Sequence, residues 1–374
     1  MKRWQLPISY LARETQPSWL SRHFLFAWHI VVLCASWYPF TGWRYTGEGV
    51  FAFFFYPLPY YQTSFDNVIN FLAYMPLGFA WALAFRCRWY APLLALLCGG
   101  MLSGLVEFVQ QFLPDRVASN LDLLCNSAGC LAGAIVGCLF EKLTLVRRWH
   151  VARQAWFAKG ALVDYGLTLM VLWLLAQSNP AVPLFGVVVE PVGIPQSFVS
   201  PIGNPALFLR VLETSGVMLH VTAVGLLTVT LLARRSRAAR AVWGLLIFTT
   251  LMKTLFAGAM LKPGQFLAWL NIDVVMGAAA ATALLTMGVV LKRRWQALAA
   301  LACLGLAELV EAEWPLHATP YSVASLFRWR YGHLQDFNGL TQTMSELWPY
   351  LAGIYLIGVA MRDISRSRES VLPQ

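Results

Sequence analysis

The sequence predicts an all-α protein that crosses a membrane about ten times, and three observations carry that reading. Hydrophobic residues make up 58% of the 374 and charged residues only 12%, against roughly 25% charge in soluble domains. Apolar runs close to the roughly 20 residues that span a hydrocarbon core recur along the chain. The 16 tryptophans and 14% aromatic content suit a chain with aromatic residues at two membrane interfaces. A water-soluble enzyme of this length is excluded. The net charge of +10 does not indicate nucleic acid, because the basic residues stand in short clusters between apolar runs. The seven cysteines lie mostly inside apolar runs without CxxC or His/Cys spacing. They read as buried thiols, and neither a metal nor a cofactor is expected.

Taken in order, residues 1–22 are polar and basic and form a retained tail rather than a removable signal peptide. Spans are expected over about 23–39, 67–86, 90–112 and 121–140, as a four-helix unit covering 23–142. A basic loop, 143–159, leads to a six-helix extension over 160–361. Its spans are about 160–177, 211–232, 241–260, 267–290, 296–313 and 346–361, followed by a tail over 362–374. Arg86-Cys87-Arg88 and Ala233–Arg240 mark short turns. The loop 178–210 is rich in Pro and Gly yet nearly uncharged, so it reads as a segment lying on the outer surface or capping the bundle. The second long loop, 314–345, is more polar.

Basic residues set the orientation. One side collects Lys2, Arg3, Arg13, Arg22, Arg86, Arg88, Lys142, Arg147, Arg148, Arg153, Lys159, Arg234, Arg235, Arg237, Arg240, Lys292, Arg293, Arg294, Arg362, Arg366 and Arg368. The other holds only Arg44, Arg116, Arg210, Lys262, Arg328 and Arg330. The bias recurs at every loop, so both termini are expected in the cytoplasm.

Ionisable and amide side chains inside spans are expensive, roughly 2.5–3.5 kcal/mol for Asp or Lys at the centre. The second to fourth spans concentrate them. Asp66, Asn70 and Tyr74 recur every four residues and share a helix face. Gly100, Ser103, Glu107 and Gln110 form a second stripe. Asp122, Asn126, Gly129, Gly133 and Gly137 form a third, with a doubled GxxxG that turns the stripe toward a neighbouring helix. Asp66, Asn70, Glu107, Gln110, Asp122 and Asn126 are thus expected to meet near the outer rim, with Arg116 as the nearby cation.

Those residues also carry a resemblance. Asp66-Asn-Val-Ile-Asn70-Phe-Leu-Ala-Tyr-Met-Pro76-Leu-Gly78, Glu107-Phe-Val-Gln110, Leu113-Pro-Asp-Arg116 and Asp122-Leu-Leu-Cys-Asn126-Ser-Ala-Gly129 resemble the VanZ-like family over about residues 25–140. The position before Phe71, often His in that family, is Asn70 here. The resemblance implies a membrane protein of the bacterial envelope and, from the family's namesake, an effect on susceptibility to the lipoglycopeptide teicoplanin.

Elsewhere, Asn271-Ile-Asp273 echoes Asn120-Leu-Asp122 and raises the prospect of a degenerate duplication. Lys253 reads as snorkelling or paired with Asp273, and His220 as a helix-packing residue. Glu213 and Glu311 read as solvated or capping, and Trp37, Trp43, Trp269 and Trp348 as interface anchors. The functional reading is a protein of the bacterial cytoplasmic membrane that binds membrane lipids, with the outer-rim cluster taking the polar head of a lipid-linked cell-wall intermediate or a lipopeptide. Asp66, Glu107 and Asp122 would accept hydrogen bonds, and Arg116 would meet a phosphate or carboxylate. Two alternatives stay open: an intramembrane enzyme with Glu107 or Asp122 as general base, and a transporter. The sequence names no oligomeric state.

Overall fold

The structure, a computed structural model, describes residues 19–38, 40–45, 47, 49, 51–55, 57, 64–114, 116–143, 151–180, 201, 203–267, 269–314 and 333–369; at 64–66, 206, 333–339 and 363–369 it describes the backbone alone. Ten long helices run through these residues: α1 (Leu20–Trp37), α2 (Ser64–Ala84), α3 (Ala91–Gln110), α4 (Asn120–Glu141), α5 (Ala161–Gln177), α6 (Pro205–Leu231), α7 (Ala238–Met260), α8 (Ile272–Val289), α9 (Arg293–Glu313) and α10 (His333–Glu369). Among the described residues nine of them are long and apolar enough to cross a membrane, and α5 is an apolar helix of 17 residues. The chain is a multi-pass membrane protein.

Most helix ends fall within a few residues of expectation, and the departures have local causes. Helix α8 begins at Ile272, later than the expected 267, because Asn271 caps it: its side chain accepts from Val274 N–H at 2.8 Å. Helix α6 begins at Pro205, inside the expected loop 178–210; proline is tolerated in a first turn, where its missing donor has no helical acceptor. The largest correction is α10. It starts at His333, within the expected loop 314–345, and continues to Glu369, within the expected tail, with Pro349 inside it. Both ends of α10 are polar, so hydropathy alone underestimates it. Residues 1–18, 144–150, 181–200, 202, 315–332 and 370–374 of the expected tails and loops lie outside the described residues.

Two groups of helices share α1. In the first, α2 packs along α4, and α3 lies against both. In the second, α6 is the axis, flanked by α8 and α9, with α10 bridging α9 and α5. Helix α6 is the most buried of the spans. Helix α1 touches α2 and α3 on one side and α5 and α10 on the other, so the expected four-helix unit is not insulated from the extension.

The α2–α4 seam is the closest approach. A methyl group at Gly78 would overlap the Cys130 backbone, and one at Gly129 or Gly133 would overlap the backbone of Phe71 or Met75. The two backbones touch directly, as small residues allow in membranes, where no hydrophobic force drives helices together. Gly99 meets the Cys130 side chain in the same way, and the Cys130 thiol donates to Ala95 O at 3.1 Å.

The second group echoes the first in part. Gly277 of α8 packs against Thr214 O and Val217 of α6, as the α4 glycines pack on α2. The equivalence is imperfect: α3 lies against α4, while α7 has no comparable contact with α8.

Candidate functional site

The α3–α4 connection is where the polar stripes meet. Ser119 precedes α4 as its N-cap, in extended conformation, and its hydroxyl accepts from Leu121 and Asp122 N–H at 3.2 and 3.4 Å. Its own N–H donates to Glu107 Oε2 at 2.7 Å. Glu107, Ser119, Ser103 and Asn126 are all buried. A carboxylate one turn from the end of α3 therefore anchors the start of α4.

Two further bonds cross the unit. Asn70 Nδ2 donates to Asp122 Oδ1 at 2.7 Å, joining α2 to α4. Asn126 Nδ2 donates to Ser103 Oγ at 2.9 Å, joining α4 to α3. Asp122 and Arg116 are within electrostatic reach of Glu107, and Tyr74 lies near Ser103, Glu107 and Asp122. The expected convergence of Asn70, Glu107, Asp122 and Asn126 is present. Asp66 lies in α2, but its side chain falls outside the described residues.

Gln110 and Arg116 sit differently from expectation. Gln110 Nε2 donates to Ser36 O at 3.0 Å, and Arg116 Nη2 donates to Ala35 O and Tyr38 O at 3.2 and 3.3 Å. Those carbonyls belong to the last turn of α1 and its C-cap residue Tyr38, where helical acceptors lack internal donors and the dipole favours a cation. Arg116 thus ties α1 to the cluster, a task the sequence reading did not assign to it.

A polar atom of the cluster lacks a partner: Asn126 Oδ1 is buried without a hydrogen bond. Rotating the Asn126 amide would bring Oδ1 to Ser103 and orphan Nδ2 instead, so one amide atom is unpaired in either orientation. Such an atom costs about 1–3 kcal/mol unless something meets it. Among the described residues no group of three or more His, Cys, Asp or Glu is arranged to hold a metal.

With that geometry in place, comparison with known proteins is informative. Residues 12–141 match the family model described as VanZ/LLP1. This part of the chain is a VanZ-like domain. No curated protein and no solved structure matches the chain. Within the VanZ-like unit the quoted motifs divide by task. The Glu-x-x-Gln pair holds the α4 start with its acid and the α1 end with its amide. The arginine of Pro-Asp-Arg116 shares the second task. The paired Asp122 and Asn126 reach α2 and α3. Ser119 is the residue that sequence reasoning missed. Its signal was available: Ser119-Asn-Leu-Asp122 before an apolar run has the spacing of a helix N-cap followed by an acid in the first turn.

In the second group several expectations are corrected. Asp273 pairs with Arg210 at 3.1 Å and not with Lys253. Lys253 is fully buried, donates to Asn179 O at 3.0 Å and stands 6.0 Å from the centre of the Trp269 ring. Glu213 is buried and accepts from Asn271 Nδ2, so it is not solvated. Trp269 and Trp348 are buried among neighbouring helices, and Trp348 Nε1 donates to Leu169 O at 2.8 Å. His220 packs within its helix as expected, with Nδ1 on Gly216 O at 2.9 Å.

Proposed function

We propose that the VanZ-like unit binds the polar head of a lipid-linked cell-wall intermediate or of a lipopeptide at the outer leaflet of a bacterial cytoplasmic membrane, and that this alters tolerance to glycopeptide-type antibiotics. The observation that carries the proposal is the unpaired amide atom of Asn126, a residue that is bonded to Ser103 and stands one helical turn from Asp122, itself within electrostatic reach of Glu107. Structural networks in membranes contribute little per bond, about 0.6 kcal/mol on average. A network kept only for register has no need of an orphaned polar atom or of two acids in one neighbourhood. Acceptors dominate here, so the group that fits is rich in donors: an amine, an amide N–H or a hydroxyl. Arg116, engaged with α1, forms the wall of the site rather than its phosphate contact. Ionisable groups placed inside a membrane unit mark functional sites by default.

The orientation that follows from the basic residues puts both termini in the cytoplasm and the α3–α4 connection outside, where such heads are presented. The decisive experiment compares cells producing the native chain, Glu107→Gln and Asn126→Leu at equal membrane levels. Gln keeps an acceptor for Ser119 N–H, so the fold is retained while the charge is lost. We expect both variants to lose any shift in teicoplanin tolerance and to lose lipids that co-purify with the native chain. Unchanged tolerance and unchanged lipid content in both variants would overturn the proposal.

A further inference from the structure

We propose that the basic surface where the α6–α7 and α8–α9 turns meet is a binding site for an anionic phospholipid carrying two phosphates. It lies in the second helix group and stands independently of the reading given to the VanZ-like unit.

Three chain segments converge there. The α6–α7 turn carries Arg234, Arg235 and Arg237, with Arg240 in the first turn of α7; Lys292 lies in the α8–α9 turn, with Arg293 and Arg294 opening α9; and residues 151–160 run alongside. Arg235 Nη1 donates to Val290 O at 3.4 Å, which joins the two turns. Arg237 donates to Ala155 O, and the guanidinium groups of Arg237 and Arg240 lie 5.3 and 5.8 Å from the Trp156 ring centre. Backbone bonds hold the third segment in place: Ala158 N–H donates to Leu231 O and Ala233 N–H to Trp156 O, each at 2.9 Å. The charges are therefore mounted on a pinned framework, whereas charges that served only to set topology would need no such support.

The three segments carry no acid of their own: residues 151–160, 231–241 and 288–296 contain no Asp or Glu. Among the described residues, Arg153 is the member of this region that makes a salt bridge, to Asp164. Arg234, Arg235 and Lys292 are exposed, and the Nε atoms of Arg293 and Arg294 are buried without an acceptor.

Depth selects the partner. These residues sit at the ends of four helices long and apolar enough to cross a membrane and joined by turns of a few residues, a place that brings them to lipid head groups when those helices span. Trp295, half-exposed beside the Arg294 guanidinium at 4.8 Å, marks that interface. Guanidinium groups match phosphate oxygens in pairs, and basic residues beside a leaflet are drawn to its anionic lipids. Positive charge divided between two adjacent turns fits two phosphates better than one.

The test uses the purified full chain in detergent with cardiolipin, phosphatidylcholine or inorganic phosphate, read by native mass spectrometry and thermal denaturation. We expect cardiolipin to be retained and to raise the melting temperature, with both effects falling as salt is raised. Arg234→Gln/Arg235→Gln/Lys292→Gln should weaken retention at least about tenfold. The charge-preserving Arg234→Lys/Arg235→Lys should keep most of it and serves as the folding control. Equal retention of phosphatidylcholine, equal stabilisation by inorganic phosphate, or undiminished cardiolipin binding in the triple variant would each overturn the proposal.

Discussion

The Glu107 carboxylate accepts a 2.7 Å hydrogen bond from the backbone N–H of Ser119, both residues being buried. One side chain on α3 thereby positions the residue that caps α4. Glu107→Leu leaves that N–H without its acceptor, at a cost of about 1–3 kcal/mol. Glu107→Gln keeps an acceptor in the same place and should recover most of the loss. Thermal denaturation of the two variants in detergent measures the difference, and equal melting temperatures would show that the bond contributes nothing to stability.

The α2–α4 seam makes a sharper prediction about glycine. At Gly133 an added methyl group would overlap the Met75 carbonyl, whereas at Gly305, exposed within α9, nothing lies within 4 Å of it. Gly133→Ala should destabilise by about 1–3 kcal/mol, since backbone must move to admit it. Gly305→Ala should be neutral or stabilise by up to about 1 kcal/mol through helix propensity. Denaturation of the two single variants checks both the sign and the order.

Gln110 and Arg116 give α1 its C-terminal cap. Removing both by alanine substitution should expose the carbonyls of Ala35, Ser36 and Tyr38, which these side chains now satisfy. The local opening free energy should fall by about 1.5–4.5 kcal/mol, since three bonds worth about 0.5–1.5 kcal/mol each are lost. Hydrogen exchange across 34–38 reports it: the double variant should exchange faster there, while the middle of α4 keeps its protection.

Orientation is open to a direct measurement. The proposed topology requires a fluorescent protein fused after Gln374 to be bright, and alkaline phosphatase fused in the α1–α2 connection to be active. The opposite pattern would reverse the side assigned to the VanZ-like cluster.

The Arg210–Asp273 pair should respond weakly to charge removal. Arg210 is largely exposed where it meets Asp273, so the coupling measured by a double-mutant cycle should stay below about 1 kcal/mol. A larger coupling would mean that the pair is shielded from water.

The sequence by itself determined the membrane class and ten helices, because hydropathy over a span is a local property, and its polar motifs carried the resemblance of residues 12–141 to the VanZ-like family. It also placed Asn70, Glu107, Asp122 and Asn126 together, since each stripe follows from the helical period. Partner choice was beyond its reach. Arg116 could meet an acid or a helix end, and only the position of α1 decides that it meets Ala35 and Tyr38 carbonyls. Asp273 was expected to meet Lys253 if it met a cation at all, and the packing of α8 on α6 gives it to Arg210 instead. Glu213, Trp269 and Trp348 look like surface residues by their place near span ends, yet neighbouring helices cover them. The polar ends of α10 defeat a hydropathy reading for a related reason: a helix can run past the hydrocarbon core wherever its backbone bonds are satisfied within itself. Period and hydropathy belong to one segment of chain, while burial and pairing belong to several, and those came only with the tertiary structure.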